Sequence, residues 1–249
     1  MIEVASSHGP GIVGIAAGEL ARYTAFTASF SGLAAPAGTL IVIAASYDVA
    51  YNRNDCIRTM LEHPEAQWVQ LWDDDHTFES DTLLRLLDRE ADVVVPLYTQ
   101  RQPPFFPCVF KEECEDGSFR VCKWEDLEGR SGLMPVISAG AGGVLIRRHV
   151  IEALSKRDPR EKPEWFERQG KTGEDHLFYK KCREAGFVVS VDLDVHLGHL
   201  TPVEVRPFRN DAGQWCGRVD LKRNVTVECW SNSYQGGKGT LGAAAVNAV

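Results

Sequence analysis

At 249 residues, 44% apolar and 25% charged, the chain has the length and balance of a soluble globular protein with one sizeable α/β domain or two small ones. A net charge of -8, from 27 basic and 35 acidic side chains, argues against a general nucleic-acid binder, though it leaves room for a local basic patch. Seven cysteines without a C-x-x-C pair fit reduced thiols in a cytosol better than a disulfide framework or a thiolate metal site. The start Met1-Ile2-Glu3-Val4-Ala5 lacks a basic n-region, and no apolar run reaches the roughly 18 to 20 residues of a membrane span. A cytoplasmic protein is expected.

In chain order, Ile2 to Ala5 reads as a first strand, followed by the small-residue loop Ser6-Ser7-His8-Gly9-Pro10-Gly11. A helix is expected over 16–31. Leu40-Ile41-Val42-Ile43-Ala44 has the continuous apolar character of a fully buried strand. A helix over 55–63 with Asn54 as N-cap comes next. Trp68 to Trp72 is a second buried strand, and it breaks abruptly into Asp73-Asp74-Asp75-His76. Ser80 can cap a helix carrying the Leu83, Leu84, Leu86 and Leu87 stripe, and Asp92 to Leu97 is another strand. Strand and helix thus alternate through the first hundred residues, the pattern of a mostly parallel twisted sheet covered on both faces.

Residues 99–135 interrupt the rhythm with Pro103, Pro104 and Pro107. A hairpin about Asp116-Gly117 is expected there. Val144 to Arg148 reads as a strand, 149–155 as a helix, and Thr172 as the N-cap of a helix ending at Gly186. Phe187 to Val191 is the last clear core strand. Regular structure is not evident after Arg206, and 236–249 reads as a tail.

Four clusters carry candidate chemistry. Three adjacent carboxylates cannot be buried cheaply, so they must emerge at the carboxyl end of their strand, where α/β sheets bind ligands. In extended backbone Asp73 and Asp75 point the same way and Asp74 the other, and two hard oxygens on one side suit Mg²⁺ or Mn²⁺. Gly140 to Gly143 permits close backbone approach to a ligand or marks a bulge. Gly173-Glu174-Asp175 places a carboxylate at a helix start, as a capping group or as a general base. His196 and His199 offer imidazoles for a metal, or are plain loop residues.

In their order, these clusters resemble the GT-A glycosyltransferases, particularly the small family-2-like enzymes of bacteria and phages. The resemblance covers about residues 1 to 205. It is carried by Tyr51-Asn52-Arg53-Asn54, by Leu71-Trp72-Asp73-Asp74-Asp75 as the "DxD" motif, and by Phe78-Glu79-Ser80-Asp81-Thr82-Leu83. Gly140-Ala141-Gly142-Gly143-Val144, Gly173-Glu174-Asp175 as the "ED" motif and Leu197-Gly198-His199 complete it. It implies a Rossmann-like single α/β domain over 1–205 and an irregular extension over 206–249. It also implies transfer of one sugar from a nucleoside-diphosphate sugar, UDP-linked by expectation, with Mn²⁺ or Mg²⁺ on the diphosphate. Asp73 and Asp75 would hold the metal or donor, with His199 completing the metal site and His196 as second choice. Asp175 would be the base, with Glu174 beside it. Ser6, Ser7, Asp48, Arg53, Asp74, Gly142 and Gly143 would border the donor. Arg53 could instead pair with an acid such as Asp48. The first loop departs from the family opening, and the Q-x-x-R-W segment of processive synthases is missing.

A nucleotidyltransferase would share fold and metal but needs a basic glycine-rich first loop, and 6–14 has no basic residue except His8. A non-catalytic carbohydrate-binding protein would not need Asp73, Asp75, Asp175 and His199 together. The acceptor is open between a modified DNA base, a protein and a glycan. Trp215, Trp230 and Tyr234, interleaved with basic residues, could stack sugars or flipped-out bases.

Overall fold

The computed structural model describes residues 1–18, 23–102, 105–170 and 172–202, and the backbone of Glu204–Arg209, Trp215–Leu221 and Val225–Cys229. The chain divides into two compact units. One comprises Met1–Thr99 with Phe106–Leu200, the other Gln100–Phe105 with Thr201–Val249.

The first unit is built on a seven-stranded sheet in the order Leu40–Ala45, Ile12–Ala17, Trp68–Asp73, Val144–Arg147, Val93–Leu97, Val189–His196, Leu133–Pro135. Five strands run parallel, while Val144–Arg147 and Leu133–Pro135 run against them. The expected mixed α/β architecture is therefore present. Trp68–Asp73 lies at the centre between Ile12–Ala17 and Val144–Arg147, and its Trp68, Val69, Leu71 and Trp72 are fully buried. A buried strand of this kind delivers its first charged residue, Asp73, at the sheet's carboxyl edge.

The N-terminal third differs from expectation. The first core strand is Ile12–Ala17, not Ile2 to Ala5; Ile2–Val4 makes a separate parallel pair with Ala34–Pro36. Gly14 disguised the strand. A Cβ there would lie 2.7 Å from Cys56 Sγ, so the glycine makes room for the helix Val49–Glu62 packed on the sheet. The helix expected over 16–31 is shorter, Thr24–Gly32.

The helix Val49–Glu62 begins six residues before its expected start. Its N-cap is Asp48, whose Oδ1 accepts from the Ala50 and Tyr51 amides at 2.8 and 3.2 Å. Asn54 is consequently a buried mid-helix residue. Its Oδ1 accepts from the amides of Trp165 and Phe166, and its Nδ2 donates to the Phe166 carbonyl at 2.7 Å, fastening the segment that leads to Glu174–Glu184.

The hairpin about Asp116-Gly117 forms as expected: Val109–Glu113 pairs antiparallel with Phe119–Val121, and Gly117 takes φ +77°. Ser138–Ala139 adds a third strand to it. Thr82–Asp88 and Arg148–Arg157 lie close to the expected helices. The last core strand is longer than expected and takes in His196. In the second unit Glu204–Arg209, Trp215–Leu221 and Val225–Cys229 form an antiparallel meander, where the sequence shows no evident regular structure. Trp230, Tyr234 and 236–249 lie outside the described residues. Among the described residues no helix is long and apolar enough to cross a membrane.

Candidate active site

The three carboxylates at the carboxyl end of Trp68–Asp73 turn in different directions. The Asp73 carboxylate takes two hydrogen bonds from Arg53 Nη2, at 2.8 and 2.9 Å. Asp74 Oδ2 accepts from the Gly18 amide at 3.1 Å, just beyond the neighbouring strand, where Ala16 pairs with Asp73. Asp75 turns toward two histidines: its Oδ2 is 3.4 Å from His199 Nε2 and its Oδ1 3.8 Å from His76 Nε2.

The short pairing of His76–Thr77 with Gly198–His199 builds that second face. Its register sets His199 directly opposite His76, so the imidazoles meet with ring centroids 4.5 Å apart. The Leu200 amide donates to the Asp75 carbonyl at 2.8 Å and closes the pairing against the tri-aspartate. Both Nδ1 atoms face backbone carbonyls: Gly198 O at 3.2 Å for His76, Thr99 O at 2.7 Å for His199. In the neutral rings those carbonyls hold the proton on Nδ1 and leave the Nε2 lone pairs turned to Asp75. Burial lowers the His76 pKa, against the pull of Asp73, and keeps that ring neutral. One ligand atom from each of Asp75, His76 and His199 lies within 4.8 Å of the others.

Gly142 keeps space beside this cluster. A Cβ there would lie 2.3 Å from His76 Nε2 and 2.9 Å from Asp73 Oδ2. Its amide donates to the Tyr98 hydroxyl at 3.1 Å. Gly143, at φ +109°, donates its amide to the Leu71 carbonyl and accepts from Gln70 Nε2 at 2.6 Å. Gly143 is thus fixed against the central strand, and Gly142 against Tyr98.

Arg53 joins the strand end to the helix Glu174–Glu184. Its Nη1 donates to Glu174 Oε1 at 3.0 Å while its Nη2 holds Asp73, and it lies 5.5 Å from the Phe166 ring centroid. Burial opposes this charge, but Asp73, then Glu174 and Asp175, outweigh it and hold the guanidinium above its ordinary range. The helix is capped by Gly173, not Thr172, so Asp175 stands at its second position, with Oδ1 accepting from the His176 amide at 2.7 Å. Burial raises the Asp175 pKa, with His176 and Arg53 pulling against it. The carboxylate therefore escapes the depression a helix start alone would impose.

The expected residues do not all meet. Asp73, Asp75, Gly142, Gly143 and His199 gather at the strand end, and Arg53 ties Glu174 to Asp73. Asp48 is a helix cap, and it does not pair with Arg53. Ser6 and Ser7 are exposed and precede the amino end of Ile12–Ala17; Ser6 Oγ accepts from the His8 amide. His196 turns back to the Leu193 carbonyl at 2.8 Å. His76 was missed: a histidine next to three aspartates reads as their flank, and only the cross-strand register reveals its partner.

No family model and no curated protein matches the sequence. Solved structures do. A197 from STIV aligns with a TM-score of 0.51 at 16% identity, over 82% of this chain and 92% of that one. GalNAc-T7 with UDP, GalNAc and Mn²⁺ aligns with a TM-score of 0.53 at 11% identity, over 79% of this chain. The fold is GT-A-like. The GT-A-like chain matches only 44% of GalNAc-T7, so what that protein does is not carried over by length or identity.

Proposed function

We propose that the protein is a metal-dependent glycosyltransferase that moves one sugar from a nucleoside-diphosphate sugar, UDP-linked in our reading, to an acceptor hydroxyl. Residues 1–205 carry the activity, with 206–249 as an extension. The observation that bears most weight is the pair of Nε2 atoms turned onto Asp75 at the carboxyl end of the central strand.

The donor set fits a divalent cation. Two imidazole nitrogens and a carboxylate suit Mn²⁺ better than Mg²⁺, which prefers oxygen and dehydrates reluctantly. Asp75, His76 and His199 would hold it, and the space kept by Gly142 leaves a side open toward Asp73. Bound there, the cation would act as a Lewis acid on the diphosphate leaving group.

The chain's own residues do the rest. Asp73, already charge-compensated by Arg53, faces the donor ribose and need not ligate. Asp74 anchors the strand end to Gly18. Gly142 and Gly143 let the donor approach the backbone. Arg53 and Glu174 set the distance between the donor side and the helix that carries Asp175. Asp175, held by the His176 amide and raised by burial, takes the acceptor proton.

The test is UDP release from UDP-sugars with and without Mn²⁺. The wild type is expected to be Mn²⁺-dependent. Asp75→Ala is expected to lose turnover by roughly 10²- to 10³-fold with unchanged circular dichroism. Full activity in that variant contradicts the metal assignment.

A further inference from the structure

Tyr98 has no role in the proposed reaction, yet it meets both imidazoles of the cation site and the glycine turn beside them. The residue is buried, and its ring stands edge-on to His76 with centroids 4.6 Å apart and to His199 at 5.5 Å. Its backbone is tied to the same turn. The Tyr98 carbonyl accepts from the Cys108 amide at 2.8 Å, and the Cys108 carbonyl accepts from the Gly140 amide at 2.9 Å. Gly140 admits the tyrosine's tip, since a Cβ there would lie 2.1 Å from Tyr98 Oη.

The hydroxyl's partner is the Gly142 amide, which donates to it at 3.1 Å. Gly142 is buried, so this N–H has no water to turn to and needs an acceptor from the protein. Two other acceptors lie against the same glycine. The position of a Cβ on Gly142 is 2.3 Å from His76 Nε2 and 2.9 Å from Asp73 Oδ2. Asp73 Oδ2 already accepts from Arg53 at 2.9 Å. His76 Nε2 makes no hydrogen bond to a described residue, and its contact with Asp75 is 3.8 Å long. The idle acceptor beside the Gly142 amide is therefore the imidazole nitrogen turned toward Asp75.

We propose that Tyr98 is a positioning residue of the cation site: its hydroxyl engages the Gly142 N–H and so keeps His76 Nε2 open for the metal. The inference rests on the cation site of the glycosyltransferase reading. An imidazole lone pair serves one partner at a time, so an amide that reaches it competes with the cation. The hydroxyl, not the ring, is the part that matters, because phenylalanine fills the same ring position.

Tyr179 provides the matched control. It is fully buried, and its hydroxyl donates to the Gly140 carbonyl of the same turn at 3.1 Å. Removing that hydroxyl strands a carbonyl, which has no proton to offer an imidazole.

The experiment titrates Mn²⁺ into the full chain in the presence of UDP and reads free and bound ion by electron paramagnetic resonance. Tyr98→Phe is expected to bind Mn²⁺ about 10-fold more weakly than the wild type. Pulsed spectra of its bound ion are expected to lose one of the two imidazole nitrogen couplings. Tyr179→Phe is expected to keep both the affinity and the couplings, with circular dichroism as the check on folding. Wild-type affinity and couplings in Tyr98→Phe overturn the inference alone. An equal loss in Tyr179→Phe also overturns it, because the effect is then a general loosening of the turn. Should Tyr98→Phe misfold, hydrogen exchange of the Gly142 amide in the metal-free wild type decides instead: slow exchange supports the hydroxyl contact, and the rate of a free amide overturns it. No Mn²⁺ bound by the wild type overturns the cation site, and this inference with it.

Discussion

Asp73 and Asp75 are two residues apart at one strand end, yet they face different partners. Asp73 has a buried guanidinium across its carboxylate, with 4% of the Arg53 side chain exposed. Asp75 faces the imidazoles of His76 and His199, whose Nδ1 atoms contact backbone carbonyls. One carboxylate is neutralised by a buried guanidinium, while the other faces the imidazoles of His76 and His199, with which it would hold the cation in the reading proposed above. Adjacent carboxylates are tolerable here because each has a different answer to its desolvation.

Three perturbations separate the two settings. The largest effect is expected from Arg53→Ala, which leaves Asp73 and Glu174 facing each other without their shared cation. Unfolding stability in urea is expected to fall by about 3 kcal/mol, with Mn²⁺ affinity nearly unchanged. The reverse pattern, intact stability and lost Mn²⁺ binding, would merge the two settings into one site.

Gly142→Ala is expected to act on the other side only. Its methyl must displace the His76 ring from 2.3 Å, so Mn²⁺ affinity measured by calorimetry is expected to drop roughly 10- to 100-fold. Wild-type affinity in this variant would mean that His76 is not a ligand.

The smallest effect concerns pH. Burial raises the Asp175 pKa, so its base form is lost, as pH falls, earlier than for a free aspartate near about 3.9. The acid limb of turnover is expected above that value. Arg53 pulls the Asp175 pKa down, so the limb moves further up in Arg53→Ala. A limb that moves down would show that Asp175 is not the group being titrated.

Much of this was legible before any coordinates. The burst of carboxylates after Trp72 marks a strand end by charge cost alone, and the run of clusters from Arg53 to His199 led to the GT-A-like fold. Three features were not legible, for physical reasons. Ile12–Ala17 carries a glycine that a packing helix demands, which breaks the strand signature. Asp48 and Asn54 can both cap helices, and only the tertiary role of Asn54, binding the Trp165–Phe166 backbone, shows which one does. His76 owes its place to a two-residue cross-strand pairing with Gly198–His199, and a contact across more than a hundred residues leaves no local trace.

Mn²⁺ binding in the presence of UDP, followed by electron paramagnetic resonance on the wild type and on His76→Ala, His199→Ala and Arg53→Ala, tests the central claim most directly. One bound ion per chain is expected in the wild type and in Arg53→Ala, with both histidine variants weakened by about 10-fold or more. Equal binding by the wild type and both histidine variants would contradict a cation site built from Asp75, His76 and His199.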